Sequence, residues 1–120
     1  MKCECVKEKL EPAITKATRV TAKNVTLPVL QCVLLEAAEN QLIIRATNLD
    51  IGVEFRVPVK VSEPGVIALP GDVLARYLAQ LPDETITMET GEHGVTVTTQ
   101  SSTTTVNTVD HEDFPTLPQV

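Results

Sequence analysis

The stretch IGVEFRVPVKV, residues 51–61, decides the fold class. Ile51, Val53, Phe55, Val57, Val59 and Val61 take the odd positions, and Gly52, Glu54, Arg56, Pro58 and Lys60 the even ones. A period of two sends the first set to one face and the second to the other, which is a β-strand with one buried side. Pro58 has no backbone N–H to give a ladder, so the strand is expected at a sheet edge there. Upstream, Leu42 to Thr47 reads as a strand returning to it. Val29 to Ala38, apolar on both faces, reads as a buried strand, and Glu39, Asn40 and Gln41 turn the chain between them. Lys2 to Val6 is a short strand with Cys3 and Cys5 on its buried face.

Two segments have a helical period instead. Between Lys7 and about Arg19 the apolar residues Leu10, Ala13, Ile14 and Ala17 stand at i, i+3, i+4 and i+7, one stripe of a helix that must kink at Pro12 or become regular from it. Pro70 opens a second helix with Asp72 in its first turn and an apolar face of Val73, Leu74, Tyr77, Leu78 and Leu81; Pro82 ends it. Val66 to Leu69 precedes that helix as a strand, and Thr85 to Glu89, Val95 to Thr99 and about Thr103 to Val109 follow it as three more. The chain therefore reads as strand, helix and three strands, twice, with a period of about 60 residues. Two helices on one face of a mostly antiparallel sheet give an α+β architecture.

Composition agrees. Val, Ile and Thr make up 38 of the 120 residues, a β-branched load that suits pleated strands. A chain of this length with 42% hydrophobic residues is one domain with a core of its own. The longest unbroken apolar runs are four residues, Cys32 to Leu35 and Val66 to Leu69, far short of the roughly 20 that span a bilayer. The start MKCECVKEK lacks the apolar core of a signal peptide, so a soluble cytoplasmic protein with no membrane partner is expected. Cys3, Cys5 and Cys32 have no C-x-x-C spacing, and with His93 and His111 far along the chain they read as buried thiols, with no metal or cofactor expected. The cluster Asp110-His111-Glu112-Asp113 lacks a nucleophile or a phosphate loop beside it, so it reads as a solvated connection rather than a catalytic site.

The formal charge of −6 argues against a polyanionic partner only if the charge is spread evenly. It is not. Residues 1–30 sum to +3 and residues 31–120 to −9. At 100° per residue, Lys9, Lys16 and Arg19 lie within about 80° of one another, opposite Leu10, Ile14 and Ala17, and Lys23 and Asn24 extend the row into a loop. Such a row is either a solvated helix face or a phosphate-contacting one. Arg76 on the second helix stands opposite Leu74, Leu78 and Leu81 with Asp72 at i−4, where channel lining and an ordinary surface pair are both open. With Phe55 and Tyr77 placed on apolar faces, no stacking platform for single strands is expected.

The motifs Thr26-Leu27-Pro28, Thr47-Asn48-Leu49-Asp50 and Asp113-Phe114-Pro115, in that order and with the helix segment LPGDVLARYLAQLP between the last two, resemble the first domain of the bacterial DNA polymerase III β subunit family, the sliding clamps. The resemblance covers all 120 residues. It implies a DNA-clamp fold and residues 1–120 as the first of three domains of a subunit, the later two being absent from this chain. The implied function is that of a non-catalytic processivity factor: a homodimeric ring around double-stranded DNA that holds the replicative polymerase by sequence-independent contacts. Polymerase III and the clamp loader would be met by the full-length clamp, in a cleft between later domains. On this resemblance the first helix and its loop face the DNA, which assigns Lys9, Lys16, Arg19, Lys23 and Asn24, and more weakly Arg76, to DNA contact. The last strand would pair with the second subunit through Thr103, Thr104 and Val106. The reading from a different class is a stand-alone protein-interaction module that pairs through this Thr-rich edge and never meets DNA.

Overall fold

The computed structural model describes residues 1–20, 32–47, 51–82, 84–91, 94–100 and 102–108. Lys23, Asn24, Thr26-Leu27-Pro28, Asn48-Leu49-Asp50, His93, Asp110-His111-Glu112-Asp113 and Phe114-Pro115 lie outside them. The elements run β1 (Lys2–Val6), α1 (Lys7–Val20), β2 (Cys32–Ala38), β3 (Gln41–Thr47), β4 (Gly52–Pro58), β5 (Lys60–Glu63), β6 (Gly65–Pro70), α2 (Gly71–Ala79), β7 (Thr85–Thr90), β8 (Gly94–Thr98) and β9 (Thr103–Asn107). The doubled order of strand, helix and three strands is thus present, with β5 as an additional strand between the halves.

The strands form two sheets rather than one, β5-β1-β7-β8-β9 and β4-β3-β2-β6, and every pairing within them is antiparallel. The faultless alternation of residues 51–61 hides the division. Pro58 ends β4, the terminal strand of the four-stranded sheet, and the chain crosses at Val59 into β5, the terminal strand of the other. The break falls where proline withholds a ladder donor. The Val59 amide bonds the Asn40 carbonyl at 3.2 Å instead. The β2–β3 hairpin turns on Glu39 and Asn40, whose φ angles of 52° and 60° are the paired positive values that a two-residue hairpin loop needs.

Each sheet borrows one strand from the other half of the chain. Strands β7, β8 and β9 are joined by β1, and β2, β3 and β4 by β6. The exchange is tied at the end of β7, where the Met1 ammonium donates to Thr90 Oγ1 at 2.8 Å and the Thr90 amide to the Met1 carbonyl at 2.9 Å.

One apolar core joins both sheets and both helices. On α1 the buried residues are Leu10, Ala13, Ile14 and Ala17, the stripe read from the sequence, and the helix runs through Pro12. It lies against β3, β4 and α2. The α2 stripe is narrower than expected: Leu74 and Leu78 are fully buried, Tyr77 and Leu81 partly, and Val73 is 40% exposed. Nine residues give α2 two and a half turns, and Gly71 brings its first turn so close to α1 and β2 that a Cβ there would sit 2.7 Å from Thr18 Oγ1 and 2.9 Å from Val33 Cγ1.

On the outer face of the four-stranded sheet, Arg45 donates to Glu36 at 2.8 Å and to Glu54 at 2.9 Å, and Arg56 reaches the second Glu54 oxygen at 3.1 Å. The hydrogen bonds from Arg45, and then from Arg56, hold the Glu54 carboxyl below the usual carboxylate range. A carboxyl whose folded value lies below its unfolded value stabilises the fold above the unfolded value, about pH 4.3, and loses that contribution as the pH falls through the folded value. Arg45→Met is therefore expected to cost about 1 kcal/mol at neutral pH. Urea midpoints of the two proteins should converge in acid; a pH-independent gap would mean that Arg45 acts by packing alone.

Candidate nucleic-acid interface

Burying Leu10, Ala13, Ile14 and Ala17 leaves the opposite face of α1 to water, and Lys9, Lys16 and Arg19 are all exposed there. Among the described residues none of the three has a carboxylate partner. Their charge is uncompensated locally, so a phosphate can approach without an existing ion pair having to break. Three cations outside the row, by contrast, are already paired. Lys2 pairs with Glu89 at 3.3 Å, and Arg45 and Arg56 belong to the cluster with Glu36 and Glu54 described above.

Arg76 falls into the paired class. Its guanidinium lies 3.7 Å from the Asp72 carboxylate one turn before it and 3.4 Å from the Asp72 carbonyl. Both side chains are well exposed, so the pair contributes little to stability, yet Asp72 offsets the charge that Arg76 would offer an anion. The neighbouring Tyr77 hydroxyl is 2.7 Å from Ser102 Oγ, which fastens α2 to the turn before β9.

Alongside α1 the structure shows something the sequence reading did not contain. Lys9 and Lys16, with Pro12 and Ala13 between them, form one wall of a groove of about 360 Å³ whose other wall is Phe55 to Pro58 on β4. Phe55 is half-buried, packed on the core yet lining this groove. Alternation identifies the buried face of β4. It does not say which helix lies over that face, and the contact between α1 and the edge strand is what brings an aromatic ring beside two lysines.

The other expected contact surface is β9, the terminal strand of the five-stranded sheet. Its residues alternate, with Thr103, Thr105 and Asn107 exposed, Thr104 intermediate and Val106 buried at 4% exposure opposite Val95. Val106 is corrected as an outward apolar contact: its side chain belongs to the core of its own domain. What the edge presents is backbone with threonine and asparagine side chains.

The family model described as DNA polymerase III beta subunit, N-terminal domain, matches residues 1–118. The chain belongs to the β-clamp family. A beta sliding clamp of Synechocystis is 33% identical over an alignment of 129 residues that takes in all of this chain and 33% of that protein. One from Streptomyces coelicolor is 29% identical, with 100% of this chain and 32% of that protein aligned. The solved DnaN sliding clamp of Pseudomonas aeruginosa, bound to griselimycin, superposes with a TM-score of 0.93 at 30% identity, over 100% of this chain and 33% of that one. The chain spans about a third of the length of these relatives.

Within this β-clamp domain the thiols are structural. Cys3, Cys5 and Cys32 are all buried. Burial pushes the Cys3 thiol up to about 11, and burial with the neighbouring Cys3 and Glu4 pushes Cys5 up to about 12. Cys32 is raised by burial and then by Asp72. Thiols raised in this way are poor nucleophiles at neutral pH. Among the described residues no helix is long and apolar enough to cross a membrane.

Proposed function

We propose that this chain is the amino-terminal domain of a three-domain sliding clamp, a non-catalytic cytoplasmic processivity factor. Two subunits close a ring around duplex DNA, and the full-length clamp tethers polymerase III and meets the clamp loader. The observation that carries the reading is the row of cations, Lys9, Lys16 and Arg19, on the solvent face of α1, unpaired among the described residues, in a chain of this family. Lys23 and Asn24 extend the row in sequence. Arg76, already held by Asp72, is a secondary contact.

The mechanism is topological. A closed ring cannot leave the duplex sideways, so its lining needs only weak phosphate attraction with no base readout, and that is what allows sliding. The −9 carried by residues 31–120 suits an exterior that repels DNA while the α1 row attracts it. Ring closure rests on the backbone edge of β9, with Thr103 and Thr104, more than on Val106.

Replacing Lys16, Arg19 and Lys23 together with Gln in the full-length clamp is the test. If each offsets one phosphate, the slope of log affinity against log salt becomes shallower by about 2.7 per subunit, at about 0.9 per contact. Unchanged loading and unchanged salt dependence would remove the role given to the row. A stop codon directly after Val120 in the coding sequence would favour the stand-alone interaction module.

A further inference from the structure

We propose that the groove between α1 and β4 seats an unpaired DNA strand, one or two nucleotides at a time, beside the surface that meets the duplex. The proposal rests on the reading that α1 faces DNA and goes beyond it, because sliding on a duplex requires phosphate contact only.

Two kinds of chemistry meet in this groove. Lys9 and Lys16 stand seven residues apart on one helix wall, which separates them by about 10.5 Å along its axis, and neither has a carboxylate partner among the described residues. Across from them the β4 wall is mostly apolar, formed by Phe55, Val57 and Pro58 with Arg56. Arg56 also lines the groove, but Glu54 at 3.1 Å and Gln41 at 3.4 Å hold its guanidinium, so the uncompensated charge is that of the two lysines.

An intact duplex can use only half of this. Its phosphates can reach the lysines, but its bases are stacked inside and cannot reach an aromatic residue in the opposite wall. An unpaired strand offers both parts, a phosphodiester for each lysine and a base free to lie on Phe55. A ring face and a cationic track are the two elements of sequence-tolerant single-strand binding. At about 360 Å³ the space suits a nucleotide or two rather than a longer segment. An acidic peptide would satisfy the lysines and leave the ring without a specific role. Charge complementarity together with Phe55 in the facing wall therefore selects the unpaired strand. A base seated on Phe55 departs from the expectation, drawn from Phe55 and Tyr77 lying on apolar faces, of no stacking platform, because here a helix carrying two lysines lies beside the ring.

The experiment uses the 120-residue chain at low ionic strength. Two probes are followed by fluorescence anisotropy, a labelled oligo-dT and a labelled hairpin duplex, and a third oligo-dT carries 2-aminopurine as a stacking reporter. Phe55→Leu, which keeps an aliphatic side chain against the core, is expected to weaken oligo-dT binding about fivefold, leave its salt slope unchanged, and leave duplex binding within about twofold. Lys16→Gln is expected to make the oligo-dT slope shallower by about 0.7. Quenching of 2-aminopurine should appear with the native chain and with Phe55→Trp, which keeps a ring, and be absent with Phe55→Leu.

Equal losses for both DNAs on Phe55→Leu would overturn the proposal, as would quenching that survives it. Displacement of oligo-dT by a poly-Glu peptide at equal charge concentration would overturn it in favour of an acidic peptide. Should Phe55→Leu fail to fold, native chain against Phe55→Trp decides by quenching alone, since no quenching in either means no stacking. The outcomes separate the two readings: a neutral Phe55 with a normal duplex salt slope removes the groove and leaves the clamp, whereas a ring indifferent to the loss of Lys16, Arg19 and Lys23 removes the clamp contacts and leaves the oligo-dT result standing.

Discussion

Gly94→Ala is expected to cost at least about 3 kcal/mol and to detach β9 from β8. A Cβ built on Gly94 would stand 2.2 Å from the Val106 carbonyl oxygen, 2.9 Å from its carbon and 3.1 Å from the Asn107 Cα. All three atoms are backbone of the facing strand, so no side-chain rotation relieves the clash. The strand itself must move, at the pair where Gly94 faces Asn107 and next to the pair of Val95 with Val106. Val106 is buried in the core, so moving β9 also uncovers apolar surface. In a domain stable by 5–15 kcal/mol, a loss of this size lowers the melting midpoint by more than about 10 °C. Amide exchange should show where it acts: β9 amides lose protection while those of β2 and β3 keep theirs. A midpoint within a degree or two of the native one would show that the strand can yield. In the full-length protein the same change is expected to loosen ring closure, because β9 is the edge proposed to meet the second subunit.

Ile14→Ala should cost about 2–5 kcal/mol, the range for large-to-small changes at sites that cannot collapse. Ile14 has no exposed surface, and Leu10 and Ala17, its neighbours on the stripe, have none either. The site is held from three directions. The Thr18 hydroxyl donates to the Ile14 carbonyl at 2.8 Å, Gly71 lets α2 press against that same hydroxyl, and β3 and β4 lie beneath. Lys16→Ala, two residues along the same helix, should change stability by no more than about 0.5 kcal/mol. The contrast separates the two faces of α1 by measurement: urea unfolding reads the apolar one, and the salt dependence of DNA binding reads the cationic one. A small effect at Ile14 would mean that the helix is not held by its stripe.

Much of this fold is visible in the spacing of residues. The α1 stripe, the alternation on β4 and the narrow apolar run of β6 each follow from a local period, because the period is set by backbone geometry. What the spacing leaves out is non-local. Nothing in residues 51–61 shows that the odd positions on either side of Val59 belong to different sheets, since Val53, Phe55 and Val57 on β4 and Val61 on β5 all face one core. Spacing puts Val73 on the apolar stripe of α2, yet only Leu74 and Leu78 of that stripe are fully buried, because how much of a short helix is covered depends on its neighbours. Val106 reads as an apolar residue available to a partner until its strand is seen to turn it inward opposite Val95. The charge row was legible as a row, because charges at helical spacing need no tertiary information. That it is unpaired, and that Phe55 stands beside it, required the placement of α1 on the edge strand.

The exchange of β1 and β6 between the sheets leaves the molecule without a separable half. The bond from the Met1 amine to Thr90 spans 89 residues, and β1, the first strand, pairs along its length with β7, from the second half of the chain. A nascent chain that has emerged only as far as β5 holds β2, β3 and β4 without the strand that completes their sheet, and β1 without the partner on its second edge. Such a molecule gains little from partial order, so the domain should form late and in one step once α2 and the last strands arrive. Synthesis, rather than the finished fold, is then where it is most exposed to pairing with a stranger.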